Sequence, residues 1–251
     1  MTKTALITGG AKRVGLSIAK HLASKGFNIA IHYNTSEIDS KKIVDELKKK
    51  KAIVERFKLD LAKTNSIKKF FTKIKNHFGT IDILVNNASV FEYDSLKSSS
   101  MNSYNKHMDI NLKAPFFLSK YFHECLRNKK GNIINILDQR VVNLTPYFIS
   151  YTLSKSALWT LTQSLALSLA PKIKVNAIGL GPTLKSYRQT KKQFDQQIMR
   201  TPLKKQVKLS EINNTIDLIL NSESITGQLF LLDSGQNLGW ANTRSKKFIE
   251  D

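Results

Sequence analysis

The chain has a single cysteine, Cys125, among its 251 residues, and its five histidines form no cluster. One cysteine excludes an internal disulfide, and no Cys or His spacing is typical of a metal site. No apolar run approaches the roughly 18 to 20 residues that span a membrane. The opening residues, MTKTALITGG, lack the apolar region and cleavage site of a signal peptide. These absences predict a cytoplasmic protein without a metal or a membrane partner.

Acidic residues are also scarce: Asp and Glu number 19 against 40 Lys and Arg, so the formal net charge is +21. Such an excess raises the hypothesis of a nucleic-acid partner. Twelve lysines lie between residues 41 and 75, spread over two predicted helices and their ends. No recognition helix, zinc finger or aromatic-rich RNA motif accompanies them. We therefore expect no specific nucleic-acid binding, only weak and salt-sensitive adhesion to polyanions.

Short apolar strands alternate with helical stretches along the whole chain, which is the signature of βαβ units and a parallel sheet. The length suits one large domain, and no linker, repeat or low-complexity tract is present. We predict a single-domain, Rossmann-type α/β fold, a doubly wound parallel sheet of about seven strands with helices on both faces. The predicted strands are 4–8, 28–33, 53–59, 82–87, 132–137, 172–178 and 228–233, and the predicted helices are 14–25, 37–50, 64–78, 101–127, 150–169 and 209–221.

Residues 180–208 interrupt this pattern because they are polar, basic and weakly periodic. This 180–208 segment follows the carboxyl end of a strand, where doubly wound sheets bind ligands. It is interpreted either as a substrate loop that closes over the site or as an ordinary surface insertion. The domain is expected to cover residues 1–240, and residues 241–251 to form a C-terminal tail.

The first strand runs directly into a glycine-rich turn, TGGAKRVG. Small residues let the backbone approach a pyrophosphate, which the N–H groups of the following helix can bind. The second strand ends in HYNTS, with no acid until Glu37. NAD-binding sites usually place a carboxylate there, whereas Asn34 and Ser36 can donate to the 2′-phosphate of NADP, with added charge from Lys12 and Arg13. The sequence therefore favours NADP(H) over NAD(H).

Tyr151 and Lys155 stand four residues apart in SYTLSK, and Asp138 lies thirteen residues before the tyrosine. On a helix, residues i and i+4 share a face, so the ammonium of Lys155 can lie beside the Tyr151 hydroxyl. A fixed positive charge is expected to lower the pKa of the phenol and to make it a usable proton donor. Such a pair is common on surface helices, but behind a glycine turn it predicts a nicotinamide-dependent oxidoreductase.

Residues 1–240 resemble the short-chain dehydrogenase/reductase family. The matching motifs are TGGAKRVG, Asp60-Leu61 after the third strand, NNAS at 86–89, Asn111 and SYTLSK. The resemblance implies that Asp60 contacts adenine, that Asn111 holds a water linking Lys155 to solvent, and that a homotetramer assembles through the helices carrying Asn111 and Tyr151. The expected catalytic residues are Tyr151, Lys155, Asp138 and Asn111. The expected cofactor contacts are Gly9, Lys12, Arg13, Val14, Gly15, Asn34, Thr35, Ser36, Asp60, Leu61, Asn87, Ala88, Ser89, Tyr151, Lys155 and Gly181.

Three departures from the usual family pattern indicate a branch. Asp138 replaces the common serine, Arg13 stands where most members have glycine, and NNAS is followed by Val90 and Phe91. This set resembles the pteridine reductases and the related bacterial dihydromonapterin and dihydrofolate reductases. The resemblance implies that Arg13, Ser89, Phe91, Asp138 and Tyr151 surround a pterin. Two positions differ from that branch: Thr35 stands where many members have an arginine, and Leu180 where a proline is usual.

The chemistry of these residues fits a pterin, although each has another interpretation. Phe91 can stack on a flat ring or simply pack in the core. Asp138 can bind or protonate ring nitrogen, or orient a carbonyl substrate. Arg13 can bridge phosphate and pterin, or serve the phosphates alone.

The leading hypothesis is therefore an NADPH-dependent reductase of a dihydropterin or dihydrofolate C=N bond. The alternatives are a carbonyl reductase, such as a 3-oxoacyl carrier-protein reductase, and a non-catalytic dinucleotide sensor. A sensor has no use for the Asn111, Tyr151 and Lys155 set.

Overall fold

A computed structural model describes residues 2–126 and 129–239 of the chain. Seven parallel strands form one sheet in the order β3-β2-β1-β4-β5-β6-β7, so the predicted doubly wound α/β fold is confirmed. The strand order reverses between β1 and β4, and a crevice for ligands is expected at the carboxyl ends of the strands there. The strands are β1 (Thr4–Ile7), β2 (Asn28–Tyr33), β3 (Val54–Lys58), β4 (Ile83–Asn86), β5 (Gly131–Asp138), β6 (Ile173–Leu180) and β7 (Leu229–Leu232).

Helices cover both faces of the sheet, and the side chains of β1 alternate between them. Ala5 and Ile7 pack in one buried cluster with residues of α1, α2 and α8, whereas Leu6 packs in the other with residues of α3 and α5. All three are completely buried, as expected for a central parallel strand. The helices are α1 (Arg13–Ser24), α2 (Glu37–Lys49), α3 (Ile67–Phe78), α4 (Met101–Met108), α5 (Ala114–Leu126), α6 (Ile149–Leu169), α7 (Lys191–Met199) and α8 (Leu209–Asn221).

Two helical regions differ from the prediction. The helix expected over 101–127 is divided by a π-helical turn, Asp109–Lys113, between α4 and α5. The 180–208 segment is not a loop throughout, because it contains α7, whose N-terminus is closed by a capping box between Thr190 and Gln193. This helix has nine residues and buries only Phe194 and Gln197, so its sequence shows little periodicity.

No helix within the described ranges combines the length and the apolar character needed to cross a bilayer. The predicted C-terminal tail, residues 241–251, lies outside the described residues.

Candidate active site

A cavity of about 750 Å³ lies along the carboxyl ends of the strands. It is large enough for a small-molecule ligand and brings together both ends of the predicted site. Gly15, Asp60 and Asn111 are the predicted residues that do not line it. Those that do are Gly9, Lys12, Arg13, Val14, Asn34, Thr35, Ser36, Leu61, Asn87, Ala88, Ser89, Phe91, Asp138, Tyr151, Lys155 and Gly181.

The glycine turn packs closely, and this explains its composition. Gly9 has a φ of +61°, a conformation that favours glycine. A Cβ on Gly15 would lie 2.4 Å from the Gly9 carbonyl oxygen. A larger residue at position 15 would therefore displace the backbone of the turn. Helix α1 begins at Arg13 without a side-chain cap from Lys12. Its first N–H groups are therefore suited to a pyrophosphate at the cavity wall.

His32 supports the same turn and was not predicted from the sequence. Its Nδ1 accepts from the Gly9 N–H at 3.0 Å, so its Nε2 carries the proton and donates to the Leu59 carbonyl at 2.9 Å. Burial lowers the pKa of His32 from 6.5 to about 4. A neutral imidazole thus joins the glycine turn to the chain after β3. The signal for this role is the imidazole at the end of the apolar stretch IAI, inside a predicted buried strand.

At the other end of the cavity, the charged side chains around Asn34 form ion pairs with one another. The Lys12 ammonium lies 2.8 Å from Asp39, and Glu37 lies within 3.5 Å of Arg56 and 3.3 Å of Lys58. Asn34 and Thr35 are exposed, and Ser36 precedes α2. The site offers polar groups without a carboxylate at residues 34–36, which fits a 2′-phosphate. Lys12 contributes less free charge than we expected.

Tyr151 and Lys155 lie on one face of α6, and both are buried. The Tyr151 hydroxyl donates to Asp138 Oδ2 at 3.2 Å, and the Lys155 ammonium donates to the Ile136 carbonyl at 2.8 Å. Burial lowers the pKa of Lys155 from 10.5 to about 8, an effect that Asp138 opposes. The end of β5 therefore supplies both the acceptor for the tyrosine and the anchor for the lysine.

The expectation that Lys155 lowers the pKa of Tyr151 is wrong for this structure. Burial raises the pKa of Tyr151 well above its usual value, the charge of Asp138 raises it further, and the charge of Arg140 opposes this rise. Asp138, not lysine, is the hydrogen-bonding partner of the phenol. Tyr151 therefore remains protonated and acts as a donor toward a carboxylate.

Asn111 lies behind the cavity wall, in the π-helical turn, and is fully buried. Its Oδ1 accepts from the Val90 N–H at 2.8 Å and the Ser89 hydroxyl at 3.1 Å. Its Nδ2 donates to the Val90 carbonyl at 2.9 Å and the Ser154 hydroxyl at 3.0 Å. The side chain thus joins the segment that follows β4 to α6. Its expected role toward a water remains a prediction.

Phe91 lines the cavity beside Tyr151, but one of its faces is occupied. The Phe148 ring stacks on it at 4.6 Å with an interplanar angle of 8°, and the Tyr151 ring is in T-shaped contact with it, with the two centroids 4.7 Å apart. Phe148 has a φ of +57°, a strained conformation for a bulky residue. The face of Phe91 that Phe148 covers is therefore not available to a flat substrate.

The 180–208 segment is held against the cavity by two arginines. Arg13 donates from Nη1 to the Lys185 carbonyl at 2.9 Å and from Nη2 to the Leu184 carbonyl at 3.0 Å. Arg188 donates to the Phe91 carbonyl. Arg13 was expected at a pyrophosphate or pterin, and in the structure its guanidinium instead joins the glycine turn to the segment. The cavity residues from this segment are Leu180, Gly181, Pro182, Thr183, Leu184, Ser186, Gln189, Phe194 and Gln197.

Comparisons with known proteins agree with this geometry. The family profile for short chain dehydrogenases matches residues 3–196. FolM alternative dihydrofolate reductase 1 from Brucella canis, solved with NADP, shares 38% identity and a TM-score of 0.92, over 98% of this chain and 97% of that chain. A short-chain dehydrogenase from Burkholderia cenocepacia, also with NADP, shares 27% identity and a TM-score of 0.88, over 94% and 98% of the two chains.

A relative of different activity is similar in sequence. The 3-oxoacyl-[acyl-carrier-protein] reductase of Staphylococcus epidermidis is 30% identical over 241 residues, which cover 94% of this chain and 99% of the relative. The cofactor in both solved structures confirms the family expectation of a nicotinamide dinucleotide. Together with the Tyr151 and Lys155 pair on α6, these similarities show that the chain belongs to the short-chain dehydrogenase family and is an oxidoreductase.

Proposed function

We propose that this protein is an NADPH-dependent reductase of a dihydropterin or dihydrofolate. The observation that carries the proposal is the Asp138 carboxylate at 3.2 Å from the Tyr151 hydroxyl, with the Phe91 ring centroid 4.7 Å from that of Tyr151. A pterin is flat and bears several N–H groups, so it needs an aromatic surface and a hydrogen-bond acceptor together. The similarity to the dihydrofolate reductase from Brucella canis supports the same substrate class.

The residues present fit the cofactor. The uncapped N-terminus of α1 can bind the pyrophosphate, Asn34 and Ser36 can bind the 2′-phosphate, and Lys155 can bind the nicotinamide ribose. Lys155 has one hydrogen bond among the described residues, to the Ile136 carbonyl, and an ammonium carries three donors. NADPH supplies a hydride when bound.

The chain supplies the proton. Reduction of a C=N bond adds hydride at carbon and a proton at nitrogen, and Tyr151 is the protonated group placed to give it. The Lys155 ammonium lies 5.8 Å from the Tyr151 ring centroid, and the donors that it does not use toward the Ile136 carbonyl are available to the nicotinamide ribose. Asp138 holds the phenol and the ring N–H groups of the substrate in position.

A carbonyl reductase is the second candidate, because the relative from Staphylococcus epidermidis reduces a 3-oxoacyl thioester according to its name. Tyr151 and Lys155 would protonate a ketone oxygen equally well. Asp138 argues against this candidate, because a carboxylate repels the developing alkoxide.

The two candidates are separated by following NADPH oxidation spectrophotometrically with dihydrofolate, dihydromonapterin, dihydrobiopterin and acetoacetyl thioesters. We expect turnover with one or more pterins and little with thioesters. The reverse result would refute the pterin proposal and leave the fold and family unaffected.

We also expect a cytoplasmic homotetramer assembled through α5 and α6. Three apolar side chains on these helices are exposed, namely Phe116 at 48%, Leu153 at 51% and Leu167 at 84%. In such an assembly the neighbouring subunit would cover these side chains. Light scattering coupled to size-exclusion chromatography measures the mass, and a monomer would contradict this expectation.

A further inference from the structure

Helix α6 begins without a side-chain cap from the residue before it, because Phe148 is apolar. Asp94, eight residues after Asn86 at the end of β4, supplies the missing hydrogen bond. The Ser150 N–H donates to its carboxyl group, with Oδ2 at 3.2 Å and Oδ1 at 3.3 Å, and the Phe148 N–H donates to its backbone carbonyl at 2.7 Å. Both donors are backbone N–H groups, so the direction of each bond is fixed. A residue far away in the chain therefore closes the start of the helix that carries Tyr151.

The segment between β4 and α4 carries Phe91, and three attachments hold it in place. Asn111 bonds to the backbone one residue before Phe91. The Glu92 N–H donates to Nε2 of the fully buried His107 at 3.2 Å. Asp94 is the third attachment, and it ties the segment to the start of α6. The backbone on both sides of the Phe91 ring is therefore fixed.

Aromatic rings fill the space between this segment and α6. Phe91 stacks on Phe148 and is in T-shaped contact with Tyr151. The Tyr93 ring is in T-shaped contact with Phe148, with the centroids 5.3 Å apart. Asp94 follows Tyr93 in the chain and is 1% exposed, so its hydrogen bonds lie within the same packed region. Because such packing leaves little free space, these bonds set how closely the segment and the helix approach each other.

We propose that Asp94 is a positioning residue that sets the place of the Tyr151 hydroxyl, by holding the first turn of α6 against the segment that carries Phe91. Asp94 does not line the cavity, so it acts through the Ser150 backbone and not on a ligand. This role rests on the proposed function in one respect, that Tyr151 donates the proton, and it is the same for a pterin and for a carbonyl substrate. An error of about 1 Å in the place of such a donor can lower the rate by about 10²-fold.

Asp94→Ala removes the carboxyl acceptor and keeps the backbone carbonyl that binds Phe148. We expect kcat to fall by about 10- to 100-fold, because the phenol is no longer held at its reacting distance. Affinity for NADPH should stay unchanged, since the proposed phosphate sites lie at α1 and after β2. Asp94→Asn keeps one side-chain oxygen as an acceptor, and asparagine caps helices as well as aspartate does, so this variant should recover most of the lost kcat.

Two further variants accompany this pair. Ile219→Val shortens a fully buried side chain of α8, and it controls for a loss of stability by itself. Its kcat should equal that of the wild type at temperatures well below unfolding. If Asp94→Ala does not fold, Asp94→Leu removes the same acceptor and fills nearly the same space. Thermal unfolding of each variant shows the temperature range in which its kinetics can be compared.

Hydrogen exchange tests the position of the helix without any substrate. The Ser150 amide reports the bond to Asp94 directly, and the Thr152 amide, which donates to the Phe148 carbonyl at 2.8 Å, reports the first turn. Both should exchange faster in Asp94→Ala, while Val175 in β6 should not change.

Unchanged exchange at Ser150 and Thr152, or a wild-type kcat in Asp94→Ala, would overturn the role of Asp94. A fall in kcat matched by an equal loss of NADPH affinity would overturn it as well, because it would indicate a general structural effect. A wild-type protein that reduces none of the pterins or thioesters would refute the proposed function instead, and the exchange measurement would still test the attachment of α6.

Discussion

The imidazole Nδ1 of His32 and the backbone N–H of Gly9 are joined by a 3.0 Å hydrogen bond that exists only while the imidazole is neutral. The unfolded chain binds a proton at His32 below about pH 6.5, whereas the folded chain does so only near pH 4. Stability is therefore lost as the pH falls between these values, by about 3 kcal/mol at most for this group. Thermal unfolding from pH 7 to 4 measures the loss.

His32→Gln keeps a donor and an acceptor but does not titrate, so the variant should lose less stability over the same range. The matched control is His77→Gln, which removes an exposed imidazole and should follow the wild-type curve. Parallel curves for the wild type and His32→Gln would contradict this account of His32.

Asn34 should decide the preference between the two nicotinamide dinucleotides. We expect NADPH to be preferred over NADH by about tenfold or more in kcat/KM, or about 1.4 kcal/mol. Asn34→Asp should shift the preference toward NADH, because its carboxylate repels the 2′-phosphate and can accept from the ribose hydroxyls. Steady-state kinetics with both cofactors provide the test. Equal values for the wild-type protein would be inconsistent with this interpretation.

Tyr151→Phe should lower turnover by about 10² to 10⁴-fold, the usual contribution of a positioned proton donor. Affinity for NADPH, measured by fluorescence titration, should remain, because the phenol is not needed to bind the dinucleotide. Lys155→Ala should weaken both turnover and NADPH binding. If Tyr151→Phe stayed nearly fully active, Asp138 would be the first alternative donor to examine.

Asp138→Ser distinguishes the two candidate substrates. With a pterin, the variant loses the acceptor for the ring N–H groups, and activity should fall strongly without any gain on ketones. With a 3-oxoacyl thioester, serine restores the commoner carbonyl-binding hydroxyl, and activity should hold or rise. Rates with both substrate classes are compared in the two proteins.

Phe91→Ala gives an independent check of the substrate. Loss of a stacking partner should weaken pterin binding by about 0.5 to 1.5 kcal/mol beyond the lost apolar contact. Acyl-thioester activity that survived both substitutions would favour the carbonyl reductase.

Arg13→Met should loosen the 180–208 segment. The arginine makes two hydrogen bonds to backbone carbonyls of that segment, and methionine makes neither. Hydrogen exchange of residues 183–189 should become faster, while exchange within β1 should not change. Unaltered exchange at 183–189 would show that Arg188 and α7 hold the segment without Arg13.

The fold and the central pair of the site were predictable because they depend on local periodicity. Alternation of strands and helices specified the sheet, and the spacing of Tyr151 and Lys155 placed both on one helical face. Arg140 was not predictable, because its position depends on a short 3-10 turn that no periodicity marks. The same holds for α7, whose polar sequence buries only two side chains.

Long-range partners account for the other differences. Arg13 meets carbonyls more than 170 residues away in the chain, and Phe91 is covered by Phe148, a residue in a left-handed conformation 57 positions later. Lys12 pairs with Asp39 across the space between two helices. Each of these contacts depends on how distant elements meet, so residue type alone indicated a candidate ligand contact and not the partner that the side chain has in the structure.

After the π-helical turn at Asp109–Lys113, α5 begins at Ala114 and has Pro115 as its second residue. Proline has no amide hydrogen, so it cannot donate to the Asn111 carbonyl four residues earlier, as a regular α-helix would require. The Asn111 carbonyl therefore lacks its regular α-helical hydrogen bond, while the Asn111 side chain keeps its four hydrogen bonds. One missing hydrogen atom, set by a single proline, therefore favours the irregular turn that carries the Asn111 side chain to residues 89–90 and to α6.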